Sequence, residues 1–383
     1  MKITDVKATT VKIPLEKVFS GSVYDVGFRC TIITSIETDE GVVSQSYSGD
    51  DRSTFEFQHE LVTGPLRDAI LGEDPMRVEY LWEKMFSLAP NYTHDFGPKP
   101  VMRAIGAVDV SLWDLKGRIL NTSVHKMLGG YSNTSPVVRF RYYEEGADEE
   151  EIAQLIESKA QGFGGVKLKV GRAPLSEDIG RVRRIREALG EDFHMICDAN
   201  EGWTLEQAIR FAKETEQYKL DWLEEPVQWH SAIENMRKVR EATSTKVAAG
   251  QGESNKYGCW RLIENESVDV INVDASIAGG ITEWQKIRSA AEIKGIKMGH
   301  HEEPHISLHL MSAIPNGTFV EVFEEHRDPA YYEMNKTFPI MEGGYVTVPD
   351  APGLGLEFDQ DFINKYKHVF FIPKHDHLFS ICS

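Results

Sequence analysis

The 383-residue sequence predicts an α/β fold, a (β/α)8-type barrel carrying an α+β capping domain formed by the N-terminal part and a C-terminal return. Two observations lead there. Beyond Gly129-Gly130, short β-branched runs alternate with amphipathic helical stretches, the pattern of a parallel sheet with crossover helices. Eight such strands within about 190 residues suit a closed barrel better than an open, doubly wound sheet.

The first part reads differently. Thr31–Glu37 has strand character and ends at the turn signal Asp39-Glu40-Gly41. Helices are predicted at 65–70 and 74–86. A longer one covers 101–120, where Ile105, Val108, Leu112, Leu115 and Ile119 are spaced for a buried face. Gly129-Gly130 then punctuates the chain.

The barrel strands are predicted at 136–142, 165–170, 194–198, 220–224, 246–249, 268–273, 296–300 and 318–321. Helices fall at 149–161, 175–189, 204–217, 232–242, 256–265 and 281–293. The segment 345–358, with Pro349, Pro352, Gly353 and Gly355, is not another βα unit and is expected to return to the first domain. The expected organisation is a cap in residues 1–130, a barrel in 131–345, and a returning segment in 346–383.

Composition narrows the function. The 42 Lys+Arg against 60 Asp+Glu give a formal charge of −18, which repels phosphate backbones, so no nucleic-acid partner is expected. No apolar run approaches the length of a membrane helix, and the first residues lack the apolar stretch of a signal peptide. A cytoplasmic protein with no membrane partner is expected. The four cysteines are scattered without a Cys-x-x-Cys pair and read as buried small apolar residues. No Gly-x-Gly-x-x-Gly follows any barrel strand, which weakens a dinucleotide-binding reading.

Active sites of βα barrels gather at the C-terminal ends of the strands. The second barrel strand ends in Lys167-Leu168-Lys169, whose alternation sends both lysines to one face. Two ammonium groups that close repel, and the pKa of one is expected to fall toward useful base strength. Asp198 ends the third strand and Glu224 the fourth; Gly250-Gln251-Gly252-Glu253 follows the fifth. Acids converging from successive strands suit a hard divalent cation, Mg2+ above all. Asp274 at the sixth strand end and His301 at the seventh would form a carboxylate–imidazole pair for proton transfer. Glu321, ending the eighth strand among apolar neighbours, is expected to have a raised pKa and to donate a hydrogen bond.

Two features are decoys. His301-Glu302-Glu303-Pro304-His305 satisfies the His-Glu-x-x-His pattern of zinc proteases, but that motif needs one continuous helix and Pro304 disfavours helix just before it. His305 and His309 are expected to pack near the site. The terminal His368, His375 and His377 read as solvated residues, not a metal tract.

Taken together, this constellation resembles the enolase superfamily, and within it the mandelate racemase subgroup with its acid-sugar dehydratases. The resemblance runs over nearly the whole chain. It covers Met1-Lys2-Ile3-Thr4, the Asp109–Leu115 helix, Lys167-x-Lys169, Asp198-Ala199-Asn200 and Leu223-Glu224-Glu225-Pro226. It continues through Asp274-x-x-x-x-Gly279-Gly280, His301, Glu321 and Pro352-Gly353-Leu354-Gly355. The resemblance implies Asp198 and Glu224 as Mg2+ ligands. It implies Lys169 as a base on one face of the substrate and His301, paired with Asp274, on the other. Lys167 would neutralise the substrate carboxylate, Glu321 would donate to the developing enediolate, and Asn200 would lie beside the bound acid. The family usually shows a Gly-Glu pair after the fifth strand, which Gly252-Glu253 supplies. Magnesium favours carboxylate over amide, so Glu253 is expected as the third ligand, with Gln251 its neighbour or substitute.

The implied chemistry is abstraction of the proton α to a carboxylate, through an enediolate, from a small-molecule sugar acid, most simply dehydration to a 2-keto-3-deoxy acid by a carbon–oxygen lyase. The hydroxyl-rich stretches Ser20–Ser22 and Ser44–Asp50, with Asp51 and Arg52 beside them, suit a polyol. The alternatives are a racemase or epimerase of a 2-hydroxy acid, a retaining glycosidase using Glu224 and Glu321, and a barrel that only binds ligand. Barrels of this family often assemble, so a homo-oligomer is expected.

Overall fold

The computed structural model describes residues 1–143 and 148–369; His375, His377 and Cys382 lie outside them. The cap begins with a long hairpin. Strand β1 (Ile3–Ser20) pairs antiparallel with β2 (Asp25–Thr38), and β3 (Ser46–Ser48) adds to the other edge of β2. The sequence reading found only the apolar second half of β2. The scattered charges of β1 (Asp5, Lys7, Lys12, Glu16 and Lys17) conceal a strand whose Val6, Val11 and Ile13 are buried.

Helix Pro98–Ile119 packs on this sheet and against the barrel helix Ile281–Ile293. It starts three residues before the expected 101. Gly97 turns the chain with φ +74°, and Pro98 and Pro100 occupy the first turn, where a missing N–H costs nothing. Asp109, fully buried on this helix, accepts hydrogen bonds from the N–H (2.9 Å) and hydroxyl (2.6 Å) of Thr282. It thereby satisfies the free N-terminal donors of helix Ile281–Ile293 and ties the cap to the barrel.

The barrel strands are β4 (Thr134–Arg141), β5 (Gly165–Lys169), β6 (His194–Asp198), β7 (Trp222–Glu224), β8 (Val247–Ala249), β9 (Val270–Asn272), β10 (Lys297–Gly299) and β11 (Val320–Val322). They pair in parallel in chain order from β4 to β10, and β11 returns to pair with β4. The remaining seam, β10 to β11, is bridged by Met298 and Gly317 and by Thr318 N–H donating to Met298 O at 2.9 Å. The helices 175–189, 232–242 and 281–293 match their expected limits.

Strand alternation divides the barrel interior into layers. Val138, Ile196, Trp222, Ala248, Val270 and Phe319 form one apolar cluster. Two residues further along their strands stand Asp198, Glu224, Asn272 and Glu321, all buried. The polar groups therefore rest directly on an apolar floor.

After β11, a two-strand addition, β12 (Met341–Glu342) and β13 (Tyr345–Thr347), pairs antiparallel with β4. The chain then meets the cap. Leu354 N–H donates to Asp114 Oδ1 at 2.8 Å, Gly353 bridges Ser123 and Lys367 bridges Val11 of β1. Among the described residues no helix is long and apolar enough to cross a membrane.

Candidate active site

The register of β5, β6 and β7 places Lys169 beside Asp198 and Asp198 beside Glu224. Their side chains, with those of Lys167 and Glu321, form one buried ionic network. Lys167 Nζ lies 2.8 Å from Glu224 Oε1, 2.8 Å from Glu321 Oε1 and 3.5 Å from Asp198 Oδ2, and Lys169 Nζ is 2.7 Å from Asp198 Oδ2. Asn272 Nδ2 donates to Glu224 (2.9 Å) and Glu321 (3.2 Å), and Trp222 Nε1 to Glu224 at 3.0 Å. Buried charges are tolerated only with such pairing.

The electrostatics depart from two expectations. Burial and the nearby Lys167 pull the Lys169 pKa down, but Asp198 at contact distance holds it above its ordinary value. Lysine–lysine repulsion loses because three carboxylates surround two ammonium groups. Likewise burial raises Glu321, yet Lys167, His301 and the Glu302 N–H hold it below its ordinary value. Glu321 is thus an ionised acceptor, not a hydrogen-bond donor. Asp198, against the two lysines, is held down to about 2 despite burial.

Asp274 and His301 also meet. Asp274, two residues past β9, accepts from Ser276 N–H (2.8 Å) and hydroxyl (2.7 Å), and His301 Nδ1 stands 3.6 Å from its Oδ2. Burial disfavours the imidazolium, but Glu302, 3.4 Å from Nε2, and Asp274 raise His301 to about 9. The adjacent His300 is different. Its Nε2 accepts from Ala275 N–H (3.0 Å) and its Nδ1 faces Glu302 O (3.2 Å), so it is a buried neutral ring with a lowered pKa.

The zinc-protease pattern dissolves. Glu302 and Glu303 take left-handed φ of +51° and +44°, and the helix begins only at Pro304, so His301 and His305 share no helix. His305 stacks on Tyr47 with ring centroids 3.7 Å apart, and His309 bonds to residues 125 and 354. Both are packing residues.

Above the network a cavity of about 270 Å³ opens between cap and barrel. Asn200, Gln251 and His301 line it, with Tyr24, Asp50 and Arg52 from the cap. Asn200 donates its N–H to Asp198 Oδ1 (2.9 Å), while its own Oδ1 is buried without a hydrogen-bond partner.

The expectation of Glu253 as the third ligand needs correction. Gly250 turns the chain with φ +138°, and Glu253 N–H closes the turn on Gly250 O at 3.0 Å. That turn leaves Gln251 on the mouth cavity, where its Nε2 donates to Glu225 Oε2 at 2.9 Å. Glu253 instead packs against Gly258 and lines a neighbouring cavity with Arg261. Among the described residues no three His, Cys, Asp or Glu side chains form a set able to hold a metal ion. Of the expected ligands, the carboxylates of Asp198 and Glu224 stand at the strand ends, and the amide of Gln251, two residues past β8, faces the mouth cavity.

The hydroxyl-rich lid also differs. Ser44 bonds to Ser111 of helix Pro98–Ile119 at 2.8 Å, and Ser46 and Ser48 are buried; none of them lines the cavity. Its cap wall carries Arg52, Lys99 and Arg103, and Arg327 joins them from the segment after β11. Lys99 and Arg103 escaped the sequence reading, although their four-residue spacing marks one helix face.

Comparison with known proteins agrees with this architecture. A family model described as the mandelate racemase / muconate lactonizing enzyme N-terminal domain matches residues 3–129, and one described as enolase C-terminal domain-like matches 150–362. The chain is 30% identical to a 3,6-anhydro-alpha-L-galactonate cycloisomerase of Streptomyces coelicolor, covering 93% of this chain and 97% of the relative. It is 29% identical to an L-talarate/galactarate dehydratase of Salmonella typhimurium, covering 77% and 72%. A mandelate racemase/muconate lactonizing enzyme from a marine actinobacterium, in complex with magnesium, superposes with a TM-score of 0.89 at 32% identity, covering 96% and 99%. An L-talarate dehydratase from Polaromonas, complexed with Mg and L-glucarate, does so at 0.84 and 27%, covering 96% and 98%. With both of its family models matched in order along one chain, this protein belongs to the mandelate racemase/muconate lactonizing enzyme family of the enolase superfamily.

Proposed function

We propose that this protein is a Mg2+-dependent enzyme that removes the proton α to the carboxylate of a sugar acid, with loss of the β-hydroxyl as the outcome. The observation that carries the reading is the single buried network in which Lys167 and Lys169 meet Asp198, Glu224 and Glu321 at the strand ends, beneath a cavity lined by His301. Dehydratases and cycloisomerases of sugar acids among the relatives support it.

The donor set fits magnesium. Asp198 and Glu224 are ionisable oxygen donors whose charge is balanced by ammonium groups that a hard cation can replace, with Gln251 as a neutral third donor. When bound, Mg2+ polarises the substrate carboxylate and makes the α-proton more acidic. Lys169, released from Asp198 and having given its ammonium proton to solvent, is a neutral amine whose Nζ can accept the α-proton. Lys167, oriented by Glu321, holds positive charge where the enediolate oxygens develop. Asn200 Oδ1 is an acceptor open to a substrate hydroxyl. His301, held protonated by Glu302 and Asp274, is suited to donate its proton to the departing hydroxyl. Glu224 and Glu321 both bind Lys167 and neither lines the cavity, which counts against a retaining glycosidase built on that pair.

The test is incubation with a sugar-acid library and Mg2+ in D2O, reading α-proton exchange by NMR and 2-keto acid by carbonyl derivatisation. Keto acid from one member supports dehydration. Exchange without keto acid assigns racemisation, epimerisation or cycloisomerisation instead. No exchange with any member overturns the reading.

A further inference from the structure

Residue 302 holds a backbone conformation that its own side chain disfavours. Glu302 has φ +51°, in the left-handed region that is sterically poor for any residue but glycine. Such strain persists only where the surroundings over-determine it, and here both backbone polar groups are held. The Glu302 N–H donates to Glu321 Oε2 at 3.2 Å, and its carbonyl accepts from His300 Nδ1 at 3.2 Å. His300 can donate there because its Nε2 already accepts from the Ala275 N–H. The next residue is fixed as well. Glu303, with φ +44°, accepts from Arg29 Nη2 of cap strand β2 at 2.8 Å.

These anchors fix the direction of one carboxylate. The Glu302 side chain, 12% exposed, lines the mouth cavity, and its Oε1 lies 3.4 Å from His301 Nε2. His301 Nδ1 is directed the other way, to Asp274 at 3.6 Å. Each ring nitrogen therefore faces a carboxylate. Asp274 is buried away from the cavity, whereas Glu302 stands between the ring and the open space. A carboxylate needed only to sustain the charge of the ring would serve as well behind it, where Asp274 already stands. Placed on the cavity side, Glu302 is within reach both of the donating nitrogen and of a bound molecule.

We propose that Glu302 is a catalytic residue, a proton relay between His301 Nε2 and the departing β-hydroxyl. This rests on the proposed function and adds the group through which its acid works. The proton on His301 Nε2 passes to a Glu302 oxygen, and the Glu302 carboxyl gives a proton to the β-oxygen. The enediolate electron pair forms the Cα–Cβ double bond, and the Cβ–O bond breaks with its pair leaving on oxygen. Water and the enol of the 2-keto acid result. Glu302 ends as the carboxylate it was. His301 ends neutral, with its remaining proton on Nδ1 toward Asp274, and a solvent proton taken through the same carboxylate restores it.

The experiment compares wild type, Glu302→Gln and Glu302→Gly on the library acid that wild type dehydrates fastest, with Mg2+ in D2O. Glycine takes φ +51° without strain, so Glu302→Gly is expected to unfold no lower in temperature than wild type, which separates lost function from lost fold. In both variants kcat for keto acid is expected to fall at least about tenfold, with KM within about threefold. Exchange of the α-proton, which depends on Lys169, persists. The loss is expected to remain at about pH 5.5, below the ordinary histidine pKa, where His301 is protonated with or without Glu302. A loss that vanishes there shows that Glu302 only sustains the imidazolium, and overturns the relay; so does full activity in either variant. A second readout needs no substrate. In protein carrying 13C-labelled histidine, the His301 titration is assigned by its absence in His301→Asn. Glu302→Gln is expected to move it down by about one unit or more, with Asp274, Lys167, Glu321 and His300 still facing the ring. An unmoved midpoint overturns the contact and the relay. Neither exchange nor keto acid from wild type with any acid overturns the proposed function, whereas an active wild type with unaffected variants overturns the relay alone.

Discussion

Lys167 Nζ and Glu321 Oε1, 154 residues apart in sequence, lie 2.8 Å from each other on an apolar floor inside the barrel, and the same ammonium reaches Glu224 at 2.8 Å. Removing it leaves Asp198, Glu224 and Glu321 buried with one counter-charge, Lys169, among them. Breaking a buried ion pair from one side costs about 3–5 kcal/mol. Lys167→Met is therefore expected to lose roughly that much stability in urea unfolding with a chelator present. Added Mg2+ should restore part of it by supplying the missing positive charge. A loss below about 1 kcal/mol would show that the network contributes little.

The pH dependence follows from His301. Its pKa in the folded protein, about 9, lies above the ordinary 6.5, with Glu302 and Asp274 overcoming the effect of burial. The stabilisation this provides is fully present below pH 6.5 and is lost as pH rises through about 9. As a proton donor His301 is in its working form at neutral pH, so kcat/KM for dehydration is expected to hold to about pH 8 and to fall with an apparent pKa near 9. Asp274→Asn removes one of the raising charges, and the fall should move to lower pH. An unchanged profile in Asp274→Asn would detach the aspartate from the imidazole.

Much of this site is legible in the chain because strand alternation is a local rule. Once Lys167-Leu168-Lys169 ends a strand, both lysines share a face, and Asp198 and Glu224 follow by the same rule one and two strands later. What local rules leave open is the balance of charge. Repulsion between two lysines predicts a lowered pKa, whereas three acids arriving from β6, β7 and β11 reverse the sign for Lys169 and ionise Glu321. Placement after a strand is equally open, since one turn at Gly250 exchanges Gln251 and Glu253 between two cavities. Lys99 and Arg103 become site residues only through docking of cap on barrel, which no periodicity within the cap helix reports.

Gln251 sets a prediction for metal affinity. A neutral amide two residues past β8 leaves two carboxylates to balance a divalent ion, and its Nε2 is tied to buried Glu225. Gln251→Glu adds a third carboxylate but removes that hydrogen bond and sets like charges together. With a chelator the variant is expected to be less stable by about 1–3 kcal/mol. In Mg2+ titrations followed by calorimetry it should bind at least about tenfold more tightly than wild type, a gain of 1.4 kcal/mol. Glu253→Gln, altering a group on the neighbouring cavity, should leave the Mg2+ affinity within about twofold. A large loss in Glu253→Gln would return that residue to the ligand set.

Gly280 and Asp109 test how the cap is fastened to the barrel. Gly280 holds φ +99°, and a Cβ there would stand 2.2 Å from Asp109 Oδ2, the carboxylate that accepts from Thr282. Gly280→Ala must therefore combine backbone strain with displacement of a buried hydrogen-bonded acid. Gly41, with φ +79° and nothing within 4 Å of its added Cβ, isolates the backbone term alone. Gly41→Ala is expected to cost about 1 kcal/mol, and Gly280→Ala about 3 kcal/mol or more, since strain and loss of buried polar contacts add. Chemical denaturation of the two variants side by side measures the difference. Equal losses would mean that Asp109 moves aside freely and that the cap is held elsewhere, with Arg29 the next residue to remove because it joins β2 to Glu303 at 2.8 Å and Asp328 at 3.1 Å.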